Sequence, residues 1–135
     1  MTQSITQRHD MACGLACVSF LTSIPYDVLT GTVKAEQLNS RGFYCPELVK
    51  LLKDGGLNYA WKKLSEEERD GNFTEGSIVF VERSTLLRHG HFLAKSAEGW
   101  MDPWINLSTD SNLSTAQSGF RSDLPGRAEY LIYPL

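Results

Sequence analysis

Apolar positions crowd the stretch QRHDMACGLACVSFL, from Gln7 to Leu21. From Cys13 onward Leu15, Ala16, Val18, Phe20 and Leu21 leave no continuous polar side. That pattern predicts a helix buried on most of its surface, running from about Cys13 to Ser23 and stopped by Pro25. Residues 25–42 hold no strong period beyond a helical turn at Lys34–Leu38. A second, amphipathic helix has Pro46 in its first turn and Leu48, Val49, Leu51 and Leu52 on its apolar side. Glu47, Lys50, Lys53 and Asp54 face outward, and Gly55-Gly56 ends it, so it should lie on a sheet. The pattern then changes period. LNYAWKKL (57–64) alternates as a strand, SEEERDGN is a charged turn, and SIVFVE (77–82) is the strongest strand signal. HFLAKS (91–96) and WMDPW (100–104) flank a turn at 97–99 and predict a β-hairpin. Residues 105–127, rich in Ser, Thr, Asn and Gly, are expected to be one long loop, and AEYLIY (128–133) a closing strand. Helices first and an antiparallel sheet afterwards predict an α+β fold, with residues 1–135 as a single domain.

Composition narrows the function classes. Hydrophobic content of 41% and charged content of 21% are those of an ordinary globular protein. A net charge of −3 with no basic tract argues against nucleic-acid binding. No apolar run approaches the ~18 residues that span a bilayer, and MTQSITQRHD lacks the regions of a signal peptide. No membrane insertion and a cytoplasmic location are therefore expected. Three cysteines without a secretory signal do not suggest a disulfide framework, and no C-x-x-C pair suggests zinc. Neither a metal nor a cofactor is expected.

The candidate chemistry starts at Cys13. A thiol at the front of a buried helix sits against unpaired N–H groups and the positive end of the helix dipole, which favours a thiolate. Gly14 would let a substrate carbonyl approach the backbone. A nucleophilic cysteine also needs a base, a group to orient that base, and oxyanion donors. The histidines are His9, His89 and His91. In a hairpin turning over four residues, Leu93 faces Asp102, and His91 is the diagonal neighbour of Asp102 on the same face, within reach of a hydrogen bond. A turn one residue later would put them on opposite faces. Gln7, six residues before Cys13, could donate its amide N–H to the same point as the Cys13 backbone N–H.

The stretch QRHDMACGLACVSFL, with His91-Phe92-Leu93 and Asp102-Pro103 downstream, resembles the bacteriocin-processing, double-glycine leader peptidases, a papain-like cysteine peptidase family. Gln7, Cys13, Gly14, Leu15, Ala16 and Cys17 match its first block; the helix around Leu48–Leu52 and the strand Ile78–Val81 follow in family order. Ala12 stands where the family usually has Asp, and the interval from His91 to Asp102 is short for the family. The resemblance implies a papain-like fold with Cys13 as nucleophile, His91 as base, Asp102 as its orienter and Gln7 as oxyanion donor. It also implies a peptide or protein substrate, cleavage after small residues such as Gly-Gly, and a separate peptide-export transporter as a partner.

Plainer readings stand beside these. Cys13 could be a structural thiol, like Cys17 one turn further in, and Cys45 a helix-start residue. His89 rivals His91 as base, since a two-residue step keeps both on one strand face. Asp102 before proline could be a turn starter, and His9 and Asp10 cap or solvent groups. Trp100 and Trp104 are core or cleft wall, with Trp104 the candidate for lining a substrate groove. The same thioester chemistry would serve a deamidase, an acyltransferase or a delivered toxin domain, and a silent peptide-binding module is a third class.

Overall fold

The computed structural model describes residues 3–135. Four helices precede the sheet: α1 (Cys13–Thr22), α2 (Tyr26–Thr30), α3 (Ala35–Asn39) and α4 (Cys45–Asp54). Six strands follow: β1 (Tyr59–Lys63), β2 (Ile78–Val81), β3 (His91–Ser96), β4 (Gly99–Asp102), β5 (Gly119–Arg121) and β6 (Ala128–Pro134). They form one antiparallel sheet in the order β1-β6-β2-β3-β4-β5. The last strand thus lies between the first and second.

The two long helices form for the reasons their patterns give. α1 is apolar nearly all round, with Leu15, Ala16, Cys17 and Val18 fully enclosed. Ser23, in the left-handed region at φ 64°, closes it by donating its N–H to the Ser19 carbonyl at 2.9 Å. α4 buries Leu48 and Leu52 and is tied at its start by Glu47, whose carboxylate accepts the Tyr44 N–H at 2.8 Å. α1 lies across β3, and α4 lies on β1 and β6.

Strand parity sorts the sheet into two faces. Ile78, Phe92, Ala94, Met101 and Ile132 meet the helices in the larger core. Val79, Val81, Leu93 and Trp100 point the other way into a smaller cluster closed by loop residues such as Leu87. His91 and Asp102 share the parity of Leu93 and Trp100, so they belong to this second face.

Two expectations need correction. Residues 105–127 are not a continuous loop: they contain a 3-10 turn at Leu113–Thr115 and β5, which pairs with β4. At three residues beginning with glycine, β5 is too short to carry a period of its own. Residues 25–42 hold α2 as well as the turn near Lys34; Pro25 ends one helix and, through its carbonyl, accepts the first bonds of the next.

Candidate active site

The N-terminus of α1 delivers Cys13 to the end of β3. No side chain caps this helix, so its first N–H groups have no side-chain acceptor, and Cys13 at its front lines the cleft. The half-buried Cys13 Sγ accepts the backbone N–H of Phe92 at 3.4 Å. The His91 ring lies beside the sulfur, near enough for Cys13 to act on its charge. Just before His91, Gly90 adopts φ +73° over the Phe80 ring, where any Cβ would overlap the aromatic carbons. Only glycine permits this turn into the strand.

β3 and β4 pair Ser96 with Gly99, Lys95 with Trp100 and Ala94 with Met101. One further step sets Leu93 opposite Asp102, so His91 and Asp102 are same-face diagonal neighbours. His91 Nε2 lies 2.6 Å from Asp102 Oδ1. Both are almost wholly enclosed, at 3% and 2% exposure. The same carboxylate oxygen accepts the Trp104 N–H at 2.9 Å, and Oδ2 lies 2.9 Å from Arg121 Nε. The N–H of Arg121 is not aimed at that oxygen, so the contact is an ion pair rather than a directed hydrogen bond.

These contacts set the charges. Burial works against a charged imidazole and is the largest influence on His91. The neighbouring Cys13 sulfur and the hydrogen bond to Asp102 outweigh it, raising the ring from 6.5 to about 10. Burial likewise opposes the Asp102 carboxylate, but the bond to His91, the Trp104 N–H and Arg121 hold its pKa below the usual value. Burial pushes Cys17 well up and Cys45 to about 11.

The remaining sequence candidates fall into distinct places. Gln7 is buried and shares the cleft with Cys13, and its backbone N–H donates to the Pro103 carbonyl at 3.2 Å. Its amide N–H groups are occupied by the carbonyls of His9 and Asp10, at 3.0 and 3.2 Å, and its Oε1 is buried without a partner. Gly14 does not line the cleft. An added Cβ would come 2.9 Å from Leu48 Cδ1 and 3.2 Å from Phe92 Cδ2, so glycine there serves close packing against these two side chains. Trp104 is a cleft wall, with its indole N–H buried and unpartnered. His89 is exposed on the cleft rim, and His9 is bonded to the Tyr26 hydroxyl at 2.8 Å. The cleft itself encloses about 510 Å³. Among the described residues no group of three or more His, Cys, Asp or Glu side chains could hold a metal ion.

This architecture has a solved counterpart. The chain is similar to the peptidase domain of Streptococcus ComA, a bi-functional ABC transporter involved in a quorum-sensing pathway. The likeness covers 100% of both chains at 18% identity, with a TM-score of 0.55. At that identity it speaks to the fold alone. No family model matches the sequence, and no curated protein does. Among the described residues, no helix is long and apolar enough to cross a membrane.

Arg121 is the site residue that sequence reasoning missed. It stands on β5 opposite Trp100, one diagonal step from Asp102, just as His91 stands one diagonal step away on β3. The usable signal was the repeated turn chemistry after Pro103, which returns the chain alongside β4.

Proposed function

We propose that residues 1–135 form a papain-like cysteine peptidase domain in which Cys13 is the nucleophile. The observation that carries this reading is the enclosed His91 Nε2–Asp102 Oδ1 contact of 2.6 Å, with the Cys13 sulfur beside the same imidazole. A nucleophilic thiolate beside a protonated imidazole attacks a peptide carbonyl; the C–S bond forms as the carbonyl oxygen takes up negative charge. The Cys13 N–H at the helix front receives this oxyanion. Gln7 adds a second donor by releasing its longer bond, that to Asp10. His91 then gives its proton to the leaving amine. As a neutral base it activates the water that cleaves the thioester, returning the acid product and the thiol.

Asp102 holds His91 through Nε2, leaving the other ring nitrogen for sulfur, and Arg121 holds Asp102. Trp104, next to the carboxylate, walls off water from this bond. The fold's likeness to a transporter's peptidase domain supports a peptide substrate; small residues such as Gly-Gly before the scissile bond, and a separate export transporter as partner, follow from the sequence resemblance.

The test is incubation with peptides that carry internal Gly-Gly, read by mass spectrometry. Cleavage that disappears in Cys13→Ala and in His91→Ala is expected. Cleavage that survives either change, or no cleavage and no acyl-enzyme at Cys13 with any peptide, overturns the reading.

A further inference from the structure

One wall of the cleft is the connection between β2 and β3, whose residues 83–90 read RSTLLRHG. It is a fixed platform. Ser84 N–H donates to the Leu87 carbonyl at 3.0 Å, Leu87 N–H to Ser84 Oγ at 3.0 Å, and Gly90 N–H to the Leu87 carbonyl at 3.0 Å. Leu87 is buried in the smaller core and anchors the loop. Arg83, Leu86, Arg88 and His89 are exposed around it and line the cleft.

Among the described residues, these two are the arginines that stand in no ion pair. Among the described residues, the ion pairs engage Arg8, Arg41, Lys50, Lys62, Arg69, His91, Arg121 and Arg127, but neither Arg83 nor Arg88. Arg41, also on the cleft, makes the contrast clear. Its guanidinium is held by Glu47 at 3.2 and 2.8 Å and lies over the Tyr44 ring at 4.5 Å. Asp10 supplies the carboxylate that faces the cleft. The chain as a whole carries −3, so a cationic wall here does not reflect a basic surface. Free guanidiniums in a concave site pair readily with carboxylates and focus their approach.

We propose that Arg83 and Arg88 form a recognition site for the carboxylates of an acidic peptide segment that flanks the bond presented to Cys13. Leu86, exposed between the two arginines, offers an apolar contact to the same segment. Two guanidiniums on one short loop do not make the run of phosphate contacts that nucleic acid requires, so the favoured polyanion is a peptide. The proposal rests on the peptidase reading for the scissile bond but not for the binding itself.

The experiment uses the full chain with Cys13→Ala, which binds without turnover. Fluorescence anisotropy is measured with a labelled Glu-rich peptide, its Lys-rich counterpart and a single-stranded oligodeoxynucleotide of similar length. The Glu-rich peptide is expected to bind about tenfold tighter than the Lys-rich one. That preference should shrink in about 0.5 M salt and vanish when R83Q and R88Q are combined. Both positions are exposed, so the double variant should keep the fold, which its circular dichroism checks. Equal affinities, a preference unchanged in the double variant, or tighter binding of the oligonucleotide would overturn the proposal. In parallel, alkylation of Cys13 is followed in the unaltered chain. If Cys13 is inert while the Glu preference and its loss persist, the peptidase reading falls and the recognition site stands.

Discussion

The two faces of the sheet bury their side chains by different means. On the helix-covered face Ile78, Phe92, Ala94, Met101 and Ile132 meet Leu15, Val18, Leu48 and Leu52, and every partner is apolar. On the other face a smaller apolar cluster adjoins three ionisable groups in a row: His91, Asp102 and Arg121. Apolar contacts need only shape and volume. A carboxylate enclosed to 2% exposure needs its partners at set positions, because an unpaired buried charge is costly. The difference assigns the labour: one face holds the fold, and the other fixes the geometry of the candidate site.

The comparison breaks most visibly at His91. His91→Ala should lower peptide hydrolysis by about 10³-fold or more while leaving secondary structure by circular dichroism in place. Leu48→Ala should do the reverse. It should remove about 2–5 kcal/mol of stability in a denaturant titration, with activity under native conditions retained per folded molecule. A Leu48→Ala chain that stays equally stable would show that α4 does not carry the helix-side core.

The pH dependence of stability sharpens the contrast. His91 keeps its proton in the folded chain up to about pH 10 rather than 6.5. The stability it contributes is therefore complete below pH 6.5 and is lost as pH rises toward 10. Asp102 is shifted downward, so its contribution is present above pH 3.8 and is lost as pH falls below that. Melting temperatures across pH should accordingly decline on the alkaline side. His91→Ala should flatten that decline, whereas Leu48→Ala should lower the whole curve without changing its shape.

A smaller effect is expected at Arg121. Arg121→Gln removes one of the groups that keep Asp102 ionised, so the acid limb of the activity profile should move to higher pH. Arg121→Lys should restore part of it. An unmoved acid limb would mean that Arg121 serves the fold and not the carboxylate. Smallest of all, Lys50→Ala, which removes an exposed pair with Asp54 on α4, should leave both stability and activity within error.

What the sequence discloses follows the same division. α1 is legible because its apolar run has no polar side, and α4 because its two sides differ so sharply. The hairpin is legible because a turn over Ser96–Gly99 sets the register by counting, and that register brings His91 beside Asp102. The position of β6 between β1 and β2 is a long-range choice that no local pattern encodes. β5 is hidden because three residues show no alternation, and Arg121 was hidden with it. At Gly14, a glycine after a cysteine says that space is short, not which side fills it; Leu48 and Phe92 do. For Gln7, spacing gives its nearness to Cys13 but not where its amide hydrogens point.

The central claim is that Cys13 is a nucleophile activated by His91. Its most direct test is iodoacetamide alkylation at about pH 6, a pH at which an ordinary thiol near 8.5 is almost wholly protonated, with mass spectrometry reporting Cys13, Cys17 and Cys45 separately. The account predicts rapid modification of Cys13, negligible modification of the buried Cys17 and Cys45, and loss of the Cys13 reaction in His91→Ala. A Cys13 that reacts no faster than Cys45, or equally fast without His91, would contradict it.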